Sequence, residues 1–320
     1  MPARFGRKLA ISIIAGVAVF ALLAVYADIK EITQSFAHFK WSLVPLILGL
    51  TFANYLLRFW KWHYYLGTID IRIRRGDSLA IFLSGLVMSI TPAKLGEVFK
   101  SYLLNRLNGT KISKSAPVVL AERVTDVLGL LILAALSFSA FEYGQTVLIV
   151  VLILLLGVIV IIKSRSVSNR LLDISESMPV LNRASDSLRM AQDSAHTLFR
   201  LRTLAIATIM SVVSWGFECL AMYFVLKGFN VDASVLFSAF VFSFSSLAGA
   251  VSMIPGGLIV AEGSSTGLLR MEGIPLGIAA SSTMMIRFCT LWFGVMVGFL
   301  ALLVTRRRIL GGGSPRGSTD

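Results

Sequence analysis

Ile90-Thr91-Pro92-Ala93-Lys94-Leu95-Gly96-Glu97 interrupts an apolar run with a proline and sets a lysine and a glutamate at membrane depth. A second stretch, Ile254-Pro255-Gly256-Gly257-Leu258-Ile259-Val260-Ala261-Glu262, repeats the event with proline and two glycines. Each break is followed by an arginine inside an apolar segment: Arg123 stands 26 residues after Glu97, and Arg287 stands 25 after Glu262. That spacing reads as an internal repeat. Irregular backbone and charge in a bilayer are costly unless they line a cavity, so the two breaks are the first place to look for a site.

The surrounding chain is built for lipid. Of its 320 residues 56% are hydrophobic and only 15% charged, with a mean hydropathy of +0.80, which points to an all-α polytopic membrane protein rather than a soluble domain. The net charge of +13 comes from basic residues in short loops beside apolar runs. The positive-inside rule and anionic lipids account for that pattern, so nucleic acid is not expected as a partner. Cys219 and Cys289, the only cysteines, both lie in apolar runs and imply neither a disulfide framework nor a metal set. No cofactor is expected.

Taken in order, Leu9 to Tyr26 reads as a retained first crossing, after Arg4, Arg7 and Lys8. A near-neutral outer loop with Asp28, Lys30, Glu31 and Lys40 follows. Leu43 to about Tyr65 returns, with Trp41, Trp60 and Trp62 as interfacial anchors. Leu79 to Ile90 and Leu95 to Leu104 are each too short to span, and together they predict a re-entrant hairpin. Pro117 is expected to open the next helix, which carries Glu122, Arg123 and Asp126. Val147 to Ile162 recrosses, and 163–202 reads as a cytoplasmic linker with an amphipathic second half.

Leu204 to Leu226 carries Glu218 at its apolar centre, and Val235 to Met253 is rich in small residues before the second break. One final helix is expected over Leu276 to Val304, with Gly294 and Gly298 as a packing pair, and 309–320 as a disordered tail. Under this topology the outer loops hold only Lys30, Lys40, Lys227 and Arg270, and both termini lie in the cytoplasm. The prediction is one transmembrane domain over 1–308: about six full spans plus two inverted hairpin repeats, near 79–140 and 233–304. The composition implies no oligomeric state.

Pro92 with Lys94, Gly96-Glu97 and Lys100, then Glu122-Arg123 with Asp126, then Pro255-Gly256-Gly257 with Glu262, resemble the signature of the lysylphosphatidylglycerol synthase transmembrane-region family, also called flippase-like domain proteins. The likeness runs over roughly residues 8 to 305. It implies a bacterial or archaeal inner-membrane protein that moves polar lipids or lipid-linked sugars between leaflets. Family members often carry arginine where Lys94 and Lys100 stand, and glycine where Ile259 stands. Synthase members append a soluble aminoacyl-transferase domain, so aminoacyl transfer by this chain alone is not expected.

A phosphate headgroup crossing a low-dielectric core needs positive charge and free N–H donors. Arg123, Arg287 and Lys94 supply the charge, and half-helices starting after Pro92 and at Gly256-Gly257 are expected to supply the donors. Glu97 and Glu262 have two readings, as ion-pair partners that hold the arginines or as proton acceptors that couple transport. A third reading makes all four satisfied pairs that only fix helix packing.

Gly263-Ser264-Ser265-Thr266-Gly267 fits the G-x-S-x-G pattern, but a nucleophile elbow needs a preceding strand and an activating histidine. The expectation is therefore a translocase rather than an enzyme, acting on an anionic phospholipid or polyprenyl-phosphate-linked lipid. The alternatives are a membrane glycosyltransferase, or an accessory subunit whose partner is a lipid-modifying enzyme.

Overall fold

The computed structural model describes residues 28–90, 97–138, 157 and 185–309. The Leu9 to Tyr26 crossing, the Pro92 break with Lys94 and Gly96, the Val147 to Ile162 crossing apart from residue 157, the first half of the linker, and the tail after residue 309 lie outside them. Every element among the described residues is helical. Three helices there are long and apolar enough to cross a membrane: Trp41–Thr68, Leu201–Gly228 and Leu276–Thr305.

The stretch expected as an outer loop folds as helix α1, Ile29–Ala37, because Asp28 caps it by accepting from the Lys30 N–H at 2.9 Å. A single 3-10 turn, Trp41–Leu43, leads into α2, Val44–Thr68, with Pro45 in the first turn where its missing N–H is not needed. The buried face of α2 runs through Ile47, Thr51, Asn54, Arg58, Lys61 and Tyr65, a single helical stripe that is polar at its centre. Trp62 is fully buried rather than interfacial, because Lys100 lies over its ring at 4.6 Å.

Helix α3, Arg75–Leu86, continues as a 3-10 segment, Val87–Ile90, and packs against α4, Phe99–Asn108. Helix α5, Ile112–Phe138, begins a turn and a half before Pro117. Proline is tolerated there because the only bond it fails to donate is the one to the Ser113 carbonyl, close to the helix start. Helix α6, Ser185–Leu198, covers the start of α5: Ser113 donates to Met190 Sδ at 3.7 Å and Leu198 is fully buried.

Helix α7, Leu201–Gly228, packs along both α2 and α5. Asn54 donates to the Ser214 carbonyl at 2.8 Å, and a Cβ on Gly129 would stand 2.9 Å from the Ser211 Cβ. Helix α8, Val235–Val251, leads through the Pro255–Gly257 3-10 turn into α9, Val260–Met271, which folds back on it. The expected single last helix is divided into α10, Leu276–Arg287, a π turn at Phe288–Trp292, and α11, Phe293–Ile309. The π turn begins directly after Arg287, and such turns loosen the helical ladder where a site needs it.

Two apolar clusters occupy opposite ends of the long helices. One gathers Phe59, Tyr65, Leu103, Val118 and Ala207, and the other gathers Ile47, Leu130, Met222, Val225 and Phe242. Between them, at the middle of α2, α5 and α7, lie Arg58, Lys61, Glu122, Asp126, Ser211 and Glu218, all buried. Each of these helices is about 40 Å long, enough to cross a bilayer, and the charged layer lies midway along that length. Leu56, Leu136, Ile209 and Val213 are exposed on the outer faces of the same helices, a lipid-facing surface.

Gly298 seats α11 on α3. A Cβ there would meet the Val87 nitrogen at 2.4 Å and the Leu83 carbonyl oxygen at 2.9 Å, both backbone atoms. At Gly294 the nearest atom is the Tyr55 hydroxyl, at 2.7 Å, on a side chain. Gly298→Ala is therefore expected to destabilise by about 1–3 kcal/mol through overpacking. Thermal unfolding in detergent checks this, with Gly294→Ala as the milder comparison.

Candidate functional site

The segment that leads into the first break meets the second break. The 3-10 segment Val87–Ile90 packs against the Pro255–Gly257 turn, and both border a cavity of about 370 Å³. Its walls are mostly apolar, from Leu130, Met222, Phe242, Ile286 and Leu291. Its charged lining is Arg58, Arg123, Asp126, Glu218 and Arg287.

On the side of the first break, Arg123 Nη2 bonds Glu97 Oε2 at 3.0 Å and pairs with Asp126 Oδ2 at 3.2 Å. Asp126 also takes Lys61 Nζ on Oδ1 at 2.5 Å, and Lys61 in turn bonds Ser211 Oγ at 2.7 Å. Lys100 Nζ bonds Glu122 Oε2 at 2.5 Å and pairs with Glu97 Oε2 at 3.3 Å. Gly85 makes room for the Lys100 stem, since a Cβ there would lie 2.5 Å from its Cγ. Lys100 is thus enclosed behind the cavity rather than lining it. Pairing is what makes so many charges tolerable at this depth, because a lone ion there costs several kcal/mol, about as much as it gains from an ideal partner.

On the side of the second break, Arg287 Nε bonds Glu262 Oε1 at 2.6 Å, and Arg287 Nη2 bonds the Gly256 carbonyl at 2.5 Å. Of the donors expected at the two glycines, the Gly257 N–H is already used, bonding the Ile254 carbonyl at 2.9 Å, and the N–H that follows it, of Leu258, bonds the Pro255 carbonyl at 3.2 Å. What this break presents to its arginine is a carbonyl oxygen. Gly256 and Gly257 line the cavity, both at positive φ, and Gly257 lies 3.0 Å from the Gly249 Cα measured from a built Cβ, so α8 and the break touch backbone to backbone. Pro255 sets the turn from outside the lining.

Ile259 caps α9 at φ 71°, a conformation that costs a β-branched residue about 1–3 kcal/mol. It is 59% exposed, so its side chain returns little by burial. Ile259→Gly is expected to raise stability by about 1 kcal/mol, read as an upward shift in melting temperature. A fall would mean that the isoleucine side chain holds the break.

Arg58, Lys61 and Glu218 belong to this site although neither break contains them. The readable signal was their position: Arg58 and Lys61 share the helical stripe of Ile47, Thr51, Asn54 and Tyr65, and Glu218 faces it, accepting from Thr51 Oγ1 at 3.4 Å.

The chain matches the family described as the lysylphosphatidylglycerol synthase TM region over residues 13–298. A UPF0104 membrane protein of Methanocaldococcus jannaschii is 25% identical over 237 residues, covering 70% of this chain and 96% of that protein. Another, from Methanothermobacter thermautotrophicus, is 24% identical and covers 81% of this chain and 82% of the relative. One from Pyrococcus horikoshii is 22% identical over 328 residues, with 93% and 97% covered. Matched along nearly all its length, and carrying paired charges at mid-helix between lipid-facing surfaces, the chain is a multi-pass membrane protein of the lysylphosphatidylglycerol synthase transmembrane-region family.

Proposed function

We propose that this protein translocates an anionic phospholipid or a polyprenyl-phosphate-linked lipid between the leaflets of the cytoplasmic membrane, with both termini on the cytoplasmic side. The observation that carries the reading is the convergence of three arginines, Arg58, Arg123 and Arg287, on one cavity bordered by the second chain break and by the segment that leads into the first. The cavity is of headgroup size, and its apolar walls leave the acyl chains to the bilayer. It is not read as the active site of an enzyme: Ser265 of the G-x-S-x-G stretch sits inside α9, and its hydroxyl accepts from Thr283 Oγ1 at 3.1 Å.

Charge balance supports a coupled step. Arg58, Lys61, Lys100, Arg123 and Arg287 are matched by Glu97, Glu122, Asp126, Glu218 and Glu262, so the described part of the site is neutral when empty. A phosphate diester arriving there adds one negative charge, which one proton taken up by Glu97 or Glu262 would cancel. The driving force for that uptake is the cost of an unbalanced charge at low dielectric.

The test is transport in proteoliposomes of the purified protein, with a panel of phospholipids and polyprenyl phosphates, with and without a proton gradient. Headgroup-selective transport that is lost in Arg123→Ala/Arg287→Ala is the expected result. No transport of any lipid by folded protein would leave the accessory-subunit or glycosyltransferase reading in its place. Wild-type transport by the double variant would remove those arginines from the mechanism.

A further inference from the structure

The three guanidinium groups of the cavity are not equally engaged. Arg123 is held through Nη2 by Glu97 and Asp126 at 3.0 and 3.2 Å, although its Nε has no acceptor. Arg287 is held by Glu262 and the Gly256 carbonyl at 2.6 and 2.5 Å. Arg58 makes no hydrogen bond among the described residues. Its nearest carboxylate oxygen, Asp126 Oδ2, is 3.9 Å away, and its Nε has no acceptor, although its side chain is only 7% exposed.

A guanidinium carries five N–H donors in a planar fork, and leaving them unmet at membrane depth is unfavourable. Asp126 does not meet them as placed: Oδ1 is taken by Lys61 at 2.5 Å, and Oδ2, which makes no hydrogen bond, stands 3.2 Å from Arg123 but 3.9 Å from Arg58. An anion that grips Arg58 therefore disturbs only the loosest contact of that carboxylate. The Trp215 ring lies 5.4 Å from the guanidinium carbon and lines the same cavity, which fixes the plane of the fork. Glu218, on α7 with Trp215, lines the same cavity.

We propose that Arg58 is the first ligand for the anionic group entering the cavity, taking two phosphate oxygens through its fork, while Arg123 holds Glu97 and Arg287 holds the second break beside it. The class of ligand rests on the translocase reading; the assignment to Arg58 rests on its lack of any hydrogen bond among the described residues, where Arg123 and Arg287 each make at least one.

Trp215 emission reports the event. The full chain in neutral detergent is titrated with dihexanoyl phosphatidic acid and, separately, with inorganic phosphate, and the Trp215 signal is taken by difference from Trp215→Phe. The expected result is a saturable change with the short-chain phosphatidic acid, weakened about tenfold or more in Arg58→Gln. Arg58→Lys keeps the charge but not the fork, and is expected to be weakened several-fold. A matching response to inorganic phosphate supports the assignment with phosphate alone as the recognised unit; a response to the lipid only supports it with the lipid headgroup as the source. Absence of any Trp215 response in folded wild-type protein overturns it, an outcome that needs no Arg58 variant. So does Arg58→Gln that binds as tightly as wild type, or a loss confined to Arg123→Lys or Arg287→Lys. Transport is scored separately: Arg58-dependent binding without transport removes the translocase reading and keeps this ligand, and transport with Arg58-independent binding does the reverse.

Discussion

Lys100→Met is expected to cost about 3–5 kcal/mol, enough to abolish accumulation of folded protein in the membrane. The ammonium is 2% exposed, lies against the Trp62 ring, and is the only cation within ion-pair distance of the fully buried Glu122 among the described residues. Removing it leaves a carboxylate with nothing to offset its desolvation, which is the costly way to break a buried pair. Lys100→Met/Glu122→Leu removes both charges and is expected to recover most of the loss, because a buried pair replaced by apolar side chains of similar volume is close to neutral. Yield of monodisperse protein and thermal unfolding in detergent check both variants. If the single variant folds normally and loses only lipid binding, Lys100 is a ligand after all, and its enclosed position is not its working one.

That outcome would also revise how the sequence is read. Lys100 enters the sequence reading only with Pro92, Lys94 and Gly96-Glu97, as part of the motif that carries the family resemblance. What the sequence does not display is the room beneath it: Gly85, one helix away, admits the lysine stem, and Glu122, another helix away, receives its charge. Whether a charge faces a cavity or a partner depends on which helices become neighbours, and a pattern along one helix does not carry that information. The Glu–Arg relationships were legible for the opposite reason. Glu97 to Arg123 and Glu262 to Arg287 recur at nearly equal spacing, and a repeat exposes a pairing that a single instance hides.

Helical class and membrane character followed from composition and run length. The finer boundaries did not, and each departure has a local cause. Asp28 turns a loop into α1 by capping it, and Pro117 sits early enough in α5 to lie inside it. The π turn after Arg287 has no residue signature at all: Tyr55 of α2 donates to the Thr290 carbonyl at 2.5 Å, so the turn is supported from a different helix. Arg58 and Lys61 were the most readable omission. Trp60 and Trp62 beside them read as an interface, whereas the six-residue stripe from Ile47 to Tyr65 places both cations on the buried face.

Arg287→Lys is expected to lower the initial transport rate by about tenfold or more, nearly as far as Arg287→Ala, although it keeps the charge. The reason is geometric. Arg287 uses two nitrogens of one planar fork at once, Nε on Glu262 at 2.6 Å and Nη2 on the Gly256 carbonyl at 2.5 Å, and so ties the first turn of α9 to the break that precedes it. A lysine ammonium presents its donors from a single point and cannot hold both partners at that separation. With the Gly256 carbonyl released, the turn is free to change the shape of the cavity wall it forms with Gly257 and Gly249. Hydrogen exchange over residues 254–262 should therefore accelerate in Arg287→Lys along with the loss of transport. Full transport with unchanged exchange would mean that the positive charge alone matters here, and that Arg287 is a ligand for the anion rather than the clamp that shapes its chamber.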